Sequence, residues 1–138
     1  MTRQGAVFQR YEKKYLLDRE QYEGFREAIE GFMQVDEYGK STICNIYYDT
    51  EHYDLIRASI ERPPYKEKLR LRSYGVPKLS DTVFLEVKKK YKGIVYKRRI
   101  ALPLAEAYES LERGRLTGEK GQIGREINYF IKRYHPVP

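Results

Sequence analysis

Residues 65–74 read Tyr-Lys-Glu-Lys-Leu-Arg-Leu-Arg-Ser-Tyr, and this stretch decides the fold class. A β-strand places successive side chains on opposite faces, so the stretch predicts one face of cations and another with two leucines. Neighbouring cations on that face lie about 6–7 Å apart. Such crowding costs free energy unless negative charge offsets it. The strand is therefore either a solvated outer face or part of an anion-binding site. Its four cations are Lys66, Lys68, Arg70 and Arg72.

Three further predicted strands, over residues 9–17, 82–91 and 94–102, each carry at least two charges at period 2. Side by side, the four strands would form a cationic wall with acidic residues set into it. Such a wall suits a chain of phosphates, because Arg binds phosphate oxygens in a fork and Lys supplies a point charge. Two of the acidic residues, Glu12 and Glu86, would either anchor a divalent metal ion or hold the cations in position. The added charged residues are Arg10, Glu12, Lys14, Glu86, Lys88, Lys97 and Arg99.

The remaining pattern completes an α+β fold. Residues 42–50 are β-branched and aromatic and predict a fifth strand. A helix is predicted after Asp18, with Gln21 at the capping-box position, and its apolar stripe is expected to pack on another element. Further helices are predicted over residues 51–59, after Pro103, and up to Pro136. Strands joined by short turns indicate antiparallel pairing. No linker is visible in the sequence, which predicts one domain over residues 1–138.

Composition excludes several kinds of protein. The net charge is +7, and residues 62–99 alone hold 13 Lys or Arg against 3 Asp or Glu. With one cysteine and two histidines, a zinc site and a catalytic thiol are not expected, and Cys44 is predicted to be a core residue. No signal peptide or membrane-spanning run is visible, which favours a cytoplasmic protein. There is no glycine-rich phosphate loop, so the site is predicted to lie on strands.

Five motifs follow one another along the chain: Arg10-Tyr-Glu-Lys-Lys-Tyr15, Ile46-Tyr-Tyr-Asp-Thr50, Lys68-Leu-Arg-Leu-Arg-Ser-Tyr74, Phe84-Leu-Glu-Val-Lys-Lys-Lys90 and Val95-Tyr-Lys-Arg-Arg99. With these motifs in this order, the chain closely resembles the bacterial VTC-type polyphosphate polymerase domain, over roughly residues 7–135. This family is related to the catalytic subunits of the eukaryotic vacuolar transporter chaperone complex. The wider group is the triphosphate tunnel metalloenzymes, which include CYTH adenylate cyclases and thiamine triphosphatases.

The resemblance implies a tunnel of about eight antiparallel strands with flanking helices. It also implies transfer of the γ-phosphate of ATP to polyphosphate, with Mn²⁺ or Mg²⁺ as cofactor. By position, the catalytic residues would be Arg70, Arg72, Lys88 and Lys97. Those four residues would also bind the triphosphate or polyphosphate. They would do so together with Arg10, Lys14, Lys68 and Arg99.

The family domain continues into further strands that carry another arginine, a metal-binding glutamate and a last lysine. The chain is therefore expected to be the N-terminal part of the tunnel, with about five strands and little polymerase activity alone. Open strand edges would favour self-association. Two alternatives stay open: a triphosphate hydrolase or cyclase of the same superfamily, and a non-catalytic module that binds polyanions. No specific nucleic-acid partner is predicted.

Overall fold

The computed structural model describes residues 7–118 and 120–138, with side chains from residue 11 onward. The described residues fall into two compact units, of which one comprises residues 12–41 and the other the remainder. No helix of the described residues is long and apolar enough to span a membrane. The elements are β1 (Val7–Tyr11), α1 (Arg19–Ile29), β2 (Ile43–Tyr48), α2 (Asp54–Ile60), β3 (Tyr65–Tyr74), β4 (Thr82–Tyr91), β5 (Ile94–Pro103), α3 (Leu104–Arg113) and α4 (Gly121–Tyr134).

The strands form one antiparallel sheet in the order β1-β5-β4-β3-β2. This confirms the α+β class and the prediction of about five strands. Within the described residues the sheet is open, with β1 and β2 as its edges, which is consistent with part of a tunnel. Self-association through those edges stays a prediction.

The hairpin between β4 and β5 fixes the register of this strand pair. Its two turn residues are Lys92 and Gly93, with φ of 47° and 83°. A two-residue turn with both φ values positive matches the right-handed twist of the strands that it joins. The predicted turn at Gly93 is thereby confirmed, and Tyr91 pairs with Ile94 directly across it.

The core lies between one face of the sheet and helices α2, α3 and α4. On this apolar face, Leu69 and Leu85 are fully buried, and Ile127 and Phe130 of α4 belong to the same cluster. Each such side chain gains roughly 1.5–3 kcal/mol on leaving water. Cys44, predicted to be a core residue, is only half-buried, because it belongs to an edge strand.

The unit of residues 12–41 contains α1. Asp18 caps the helix and accepts a hydrogen bond from the Gln21 backbone N–H, while the Gln21 side chain accepts one from the Asp18 backbone N–H. The capping-box prediction is therefore confirmed. The helix has no buried residue, and Tyr22 and Phe25 of its predicted packing stripe are about half exposed.

The first strand ends earlier than predicted. It was expected over residues 9–17, but β1 stops at Tyr11. The reason lies in its partner: Tyr11 pairs with Ile94, which is the first residue of β5. Beyond Tyr11 the described residues offer no further partner strand in β5, and tyrosine-rich composition alone does not hold an extended chain in a sheet.

Candidate functional site

Strand register brings charged side chains of β3, β4 and β5 into adjacent positions on one side of the sheet. Arg70 pairs with Glu86, and Glu86 pairs on its other side with Arg99. Two residues after Glu86 in β4, Lys88 pairs with Lys68 of β3 on one side and with Lys97 of β5 on the other. Every second residue of these strands lies on the same side of the sheet. We term the charged residues on that side the charged face. It comprises Lys66, Lys68, Arg70, Arg72, Glu86, Lys88, Lys90, Lys97 and Arg99.

Glu86 is the centre of the charged face and is fully buried. Its Oε2 accepts a hydrogen bond from Arg70 Nε at 2.5 Å. Its Oε1 lies 3.8 Å from both Lys97 Nζ and Arg99 Nη1 and accepts no hydrogen bond from the described residues. A carboxylate leaves water at a large cost unless opposite charges surround it. In this site three cations do so, and the carboxylate fixes their positions in return.

Neutral side chains orient the guanidinium groups further. The Tyr47 hydroxyl accepts a hydrogen bond from Arg70 Nη1 at 3.4 Å. Asn45 Oδ1 accepts one from Arg72 Nε at 2.9 Å. The Arg99 guanidinium lies 4.4 Å from the centroid of the Phe84 ring, within the range of a cation–π contact. These contacts reduce the rotamer freedom of the arginines, so less entropy is lost when an anion binds.

Sequence reasoning missed Asn45, Tyr47 and Phe84. Each lies in a predicted strand, and the alternation of side chains along that strand already indicated which face the residue occupies. The missing information was the order of the strands. Asn45 and Tyr47 meet Arg72 and Arg70 because β2 pairs with β3.

Burial and the cations of the charged face together shift two pKa values. Burial lowers the pKa of Lys97, and the positive charges of Arg99, Arg70 and Arg72 lower it further, against the opposing effect of Glu86. Burial alone would raise the pKa of Tyr47. The hydrogen bond from Arg70 and the nearby cations outweigh burial, so the pKa of Tyr47 is lowered overall. The direction for Tyr47 indicates excess positive charge that a bound anion would relieve.

Of the residues predicted to bind phosphate, six lie on the charged face: Lys68, Arg70, Arg72, Lys88, Lys97 and Arg99. The structure describes the backbone of Arg10, which pairs with Val95 in β5, but not its side chain. Lys14 lies in the unit of residues 12–41, so its place beside the others stays a prediction. The catalytic and binding roles of the whole set also stay predictions.

The two predicted metal ligands lie in different units. Lys14 Nζ is 3.6 Å from Glu12 Oε1 in one unit, and Glu86 is surrounded by cations in the other. No group of three potential metal ligands occurs in the described part of the chain. The surroundings of Glu86 favour the alternative in which its carboxylate holds cations in position, since three positive charges would repel a divalent ion.

Comparison with known proteins gives one match. Residues 9–138, almost the entire chain, match the family model described as the VTC domain. A search of curated proteins gives no match, and a search of solved structures gives none either.

Proposed function

Because the chain belongs to the VTC domain family, whose function is polyphosphate-related, we propose that its charged face binds triphosphate and polyphosphate. We further propose that it takes part in transfer of the γ-phosphate of ATP to a polyphosphate chain. The observation that carries this proposal is the arrangement of Arg70, Lys97 and Arg99 around the buried carboxylate of Glu86.

The charge balance supports a polyanionic ligand over a single phosphate. The charged face holds eight cations and one carboxylate. One phosphate, with a charge of about −2 near neutral pH, offsets only part of that excess. A chain of phosphates meets several cations at once. Along β3 these cations, Lys66, Lys68, Arg70 and Arg72, repeat about every 6–7 Å.

Catalysis on this face would rest on positioning and on charge neutralisation. The transferring phosphoryl group spreads its charge over its outer oxygens, and fixed cations stabilise that charge without reorganising. Arg70 and Arg72 of β3 would hold the triphosphate. Lys88 of β4 and Lys97 of β5 would contact it from the neighbouring strands. Mn²⁺ or Mg²⁺, the cofactor that the resemblance implies, would neutralise further phosphate charge when bound. Of the two residues predicted for it, Glu86 does not fit this role, because Arg70, Lys97 and Arg99 already surround its carboxylate.

Binding is tested by titration calorimetry with tripolyphosphate and with orthophosphate. We expect the wild-type chain to bind tripolyphosphate more tightly. Arg70→Ala and Arg72→Ala should each weaken tripolyphosphate binding by about 1–3 kcal/mol, the scale of a hydrogen bond between charged groups. Added salt should weaken binding steeply, because it screens exposed charge.

Arg98→Ala is the matched control. Arg98 adjoins Arg99 in β5 but faces the other side of the sheet, where it pairs with Glu126 at 3.0 Å. Its loss should leave tripolyphosphate affinity unchanged. Unchanged affinity in both Arg70→Ala and Arg72→Ala would rule out the charged face as the phosphate site. Formation of polyphosphate from ATP and Mn²⁺ would support transfer. Release of phosphate alone would favour the hydrolase. Binding without turnover would agree both with the non-catalytic module and with the expected low activity of this part of the tunnel alone.

A further inference from the structure

Two uncharged side chains of β2 lie beside the arginines of the charged face. In the register of β2 and β3, Asn45 pairs with Arg72 and Tyr47 pairs with Arg70. Residues directly opposite each other on antiparallel strands lie on the same side of the sheet. Asn45 and Tyr47 therefore repeat along β2 with the spacing that the arginines have along β3, about 6–7 Å. We term Asn45 and Tyr47 the neutral row.

The hydrogen bond between Asn45 and Arg72 fixes which atoms of Asn45 remain for a ligand. Arginine is a donor only, so an atom that hydrogen-bonds to its guanidinium must accept. The atom of Asn45 that faces Arg72 Nε is accordingly Oδ1, at 2.9 Å. The Nδ2 amide group lies on the other branch of the side chain, and its two N–H groups stay available as donors.

The Tyr47 hydroxyl is under the same constraint. Its oxygen accepts a hydrogen bond from Arg70 Nη1 at 3.4 Å, so its own proton is directed elsewhere. Burial raises the pKa of Tyr47, but the hydrogen bond from Arg70 and the nearby cations lower it overall. A hydroxyl that accepts from a cation is polarised, which strengthens the hydrogen bond that it donates in turn.

The arginines beside the neutral row also keep donors for a ligand. Arg70 uses Nε for Glu86 and Nη1 for Tyr47, while Arg72 uses Nε for Asn45. A guanidinium carries five N–H donors, so each arginine can still donate to an anion. The donors of each arginine and of its β2 neighbour thus lie side by side, and both suit the strong acceptor oxygens of phosphate.

From this geometry we infer that Asn45 and Tyr47 donate hydrogen bonds directly to the phosphate chain that the charged face binds. The inference rests on the proposed function, which it deepens by adding uncharged donors from a further strand. These donors add contacts to the anion without adding to the repulsion among the cations. Salt should weaken such contacts little, because a neutral donor carries no net charge to be screened.

The test must separate direct donation from a role in which the neutral row only orients the arginines. Tyr47→Phe removes the hydroxyl and keeps the ring, so folding is retained. By titration calorimetry we expect it to lower tripolyphosphate affinity about tenfold, the lower end for a hydrogen bond to a charged group. The matched control is Tyr129→Phe on α4, because the Tyr129 hydroxyl is also hydrogen-bonded to an arginine, Arg133. That control should leave the affinity unchanged.

A double-mutant cycle with Arg70→Ala makes the separation. If the Tyr47 hydroxyl only orients Arg70, Tyr47→Phe has no effect once Arg70 is absent. We expect instead that Tyr47→Phe still lowers the tripolyphosphate affinity of the Arg70→Ala chain at least about twofold, the lower end for any hydrogen bond. The loss of affinity with salt should become less steep in Arg70→Ala and stay unchanged in Tyr47→Phe, because only the former removes a charge.

Asn45→Ala, measured alone and together with Arg72→Ala, applies the same test to the other member of the neutral row. If tripolyphosphate binds but Tyr47→Phe and Asn45→Ala have no effect, or none once the paired arginine is removed, the inference is overturned and the phosphate site stands. A salt dependence in Tyr47→Phe as shallow as that of Arg70→Ala would likewise assign Tyr47 an orienting role only. If the wild-type chain binds no tripolyphosphate, the proposed function and this inference both fail.

Discussion

The two faces of the central sheet each bury a residue at the middle of β4, but by different means. Leu85 and Glu86 are neighbours in β4, are both fully buried, and lie on opposite faces. Leu85 is covered by apolar side chains of the sheet and helices. Glu86 is surrounded by cations of the adjacent strands. Burial of the first kind stabilises the fold, whereas burial of the second kind chiefly positions charges, because desolvation offsets much of the attraction.

The difference explains how one sheet can carry a concentrated positive charge. Like charges on the charged face repel and oppose folding. The apolar face must supply the free energy that offsets this repulsion. Mutations on the two faces should therefore have separable effects: on stability for the apolar face, and on both stability and anion affinity for the charged face.

The largest effect on stability is expected from Leu85→Ala. Truncating a fully buried leucine removes apolar contacts and leaves a cavity, which typically costs about 2–5 kcal/mol. Urea denaturation should show this loss in the free energy of unfolding. Tripolyphosphate affinity, measured where the variant is folded, should remain that of the wild type. A loss below about 1 kcal/mol would mean that the apolar face is not the main source of stability.

Glu86→Gln should have the next largest effect. It keeps the shape of the side chain but removes the charge that offsets Arg70, Lys97 and Arg99. We expect the free energy of unfolding to fall by about 1.5–3 kcal/mol, the worth of a hydrogen bond between charged groups. Tripolyphosphate should restore part of this stability, since it would supply the missing negative charge.

The control for Glu86→Gln is Glu126→Gln, which removes the partly exposed partner of Arg98. That loss should stay below about 1 kcal/mol, and tripolyphosphate should not reverse it. If tripolyphosphate restored both variants equally, its effect would be general and not centred on the charged face.

The smallest effect is a change in proton binding at Lys97. Because its pKa is lowered in the folded chain, the unfolded chain holds more protons between the two pKa values, and stability rises with pH across that window. A bound polyanion should raise the pKa of Lys97. We therefore expect proton uptake on tripolyphosphate binding below the ordinary lysine pKa of about 10.4, measured by calorimetry in two buffers with different ionisation enthalpies.

Lys97→Met should reduce that proton uptake. Some uptake should remain, because burial and the charges of Lys90, Lys68 and Arg62 also lower the pKa of Lys66. Lys132→Met, on α4, is the control and should leave the uptake unchanged. Equal uptake in Lys97→Met and wild type would show that the bound anion does not contact this lysine.

The sequence predicted the parts of the fold that depend on local pattern. The bounds of β3 and β4 agree with prediction, and the opposite facing of Leu85 and Glu86 follows from period 2 alone. The end of β1 was wrong because a strand needs a partner, and the partner of Tyr11 is the first residue of β5. Local pattern carries no information on such distant pairing.

The candidate site was predictable to the same degree. The alternation of side chains along β3 was enough to place Arg70 and Arg72 on the same face. Their contacts to Tyr47 and Asn45 depend on which strand lies beside β3.

The order of the central strands also has a consequence for how the charged face assembles. Strands β3, β4 and β5 follow one another in the chain and pair as two successive hairpins. Loop-closure entropy grows with the length of chain between contacts, so these pairings cost less than that of β1, which joins β5 from the other end of the chain. All nine side chains of the charged face come from this meander. The phosphate site is thus built from contacts of low contact order, and its geometry depends little on the slow, long-range closure of the sheet.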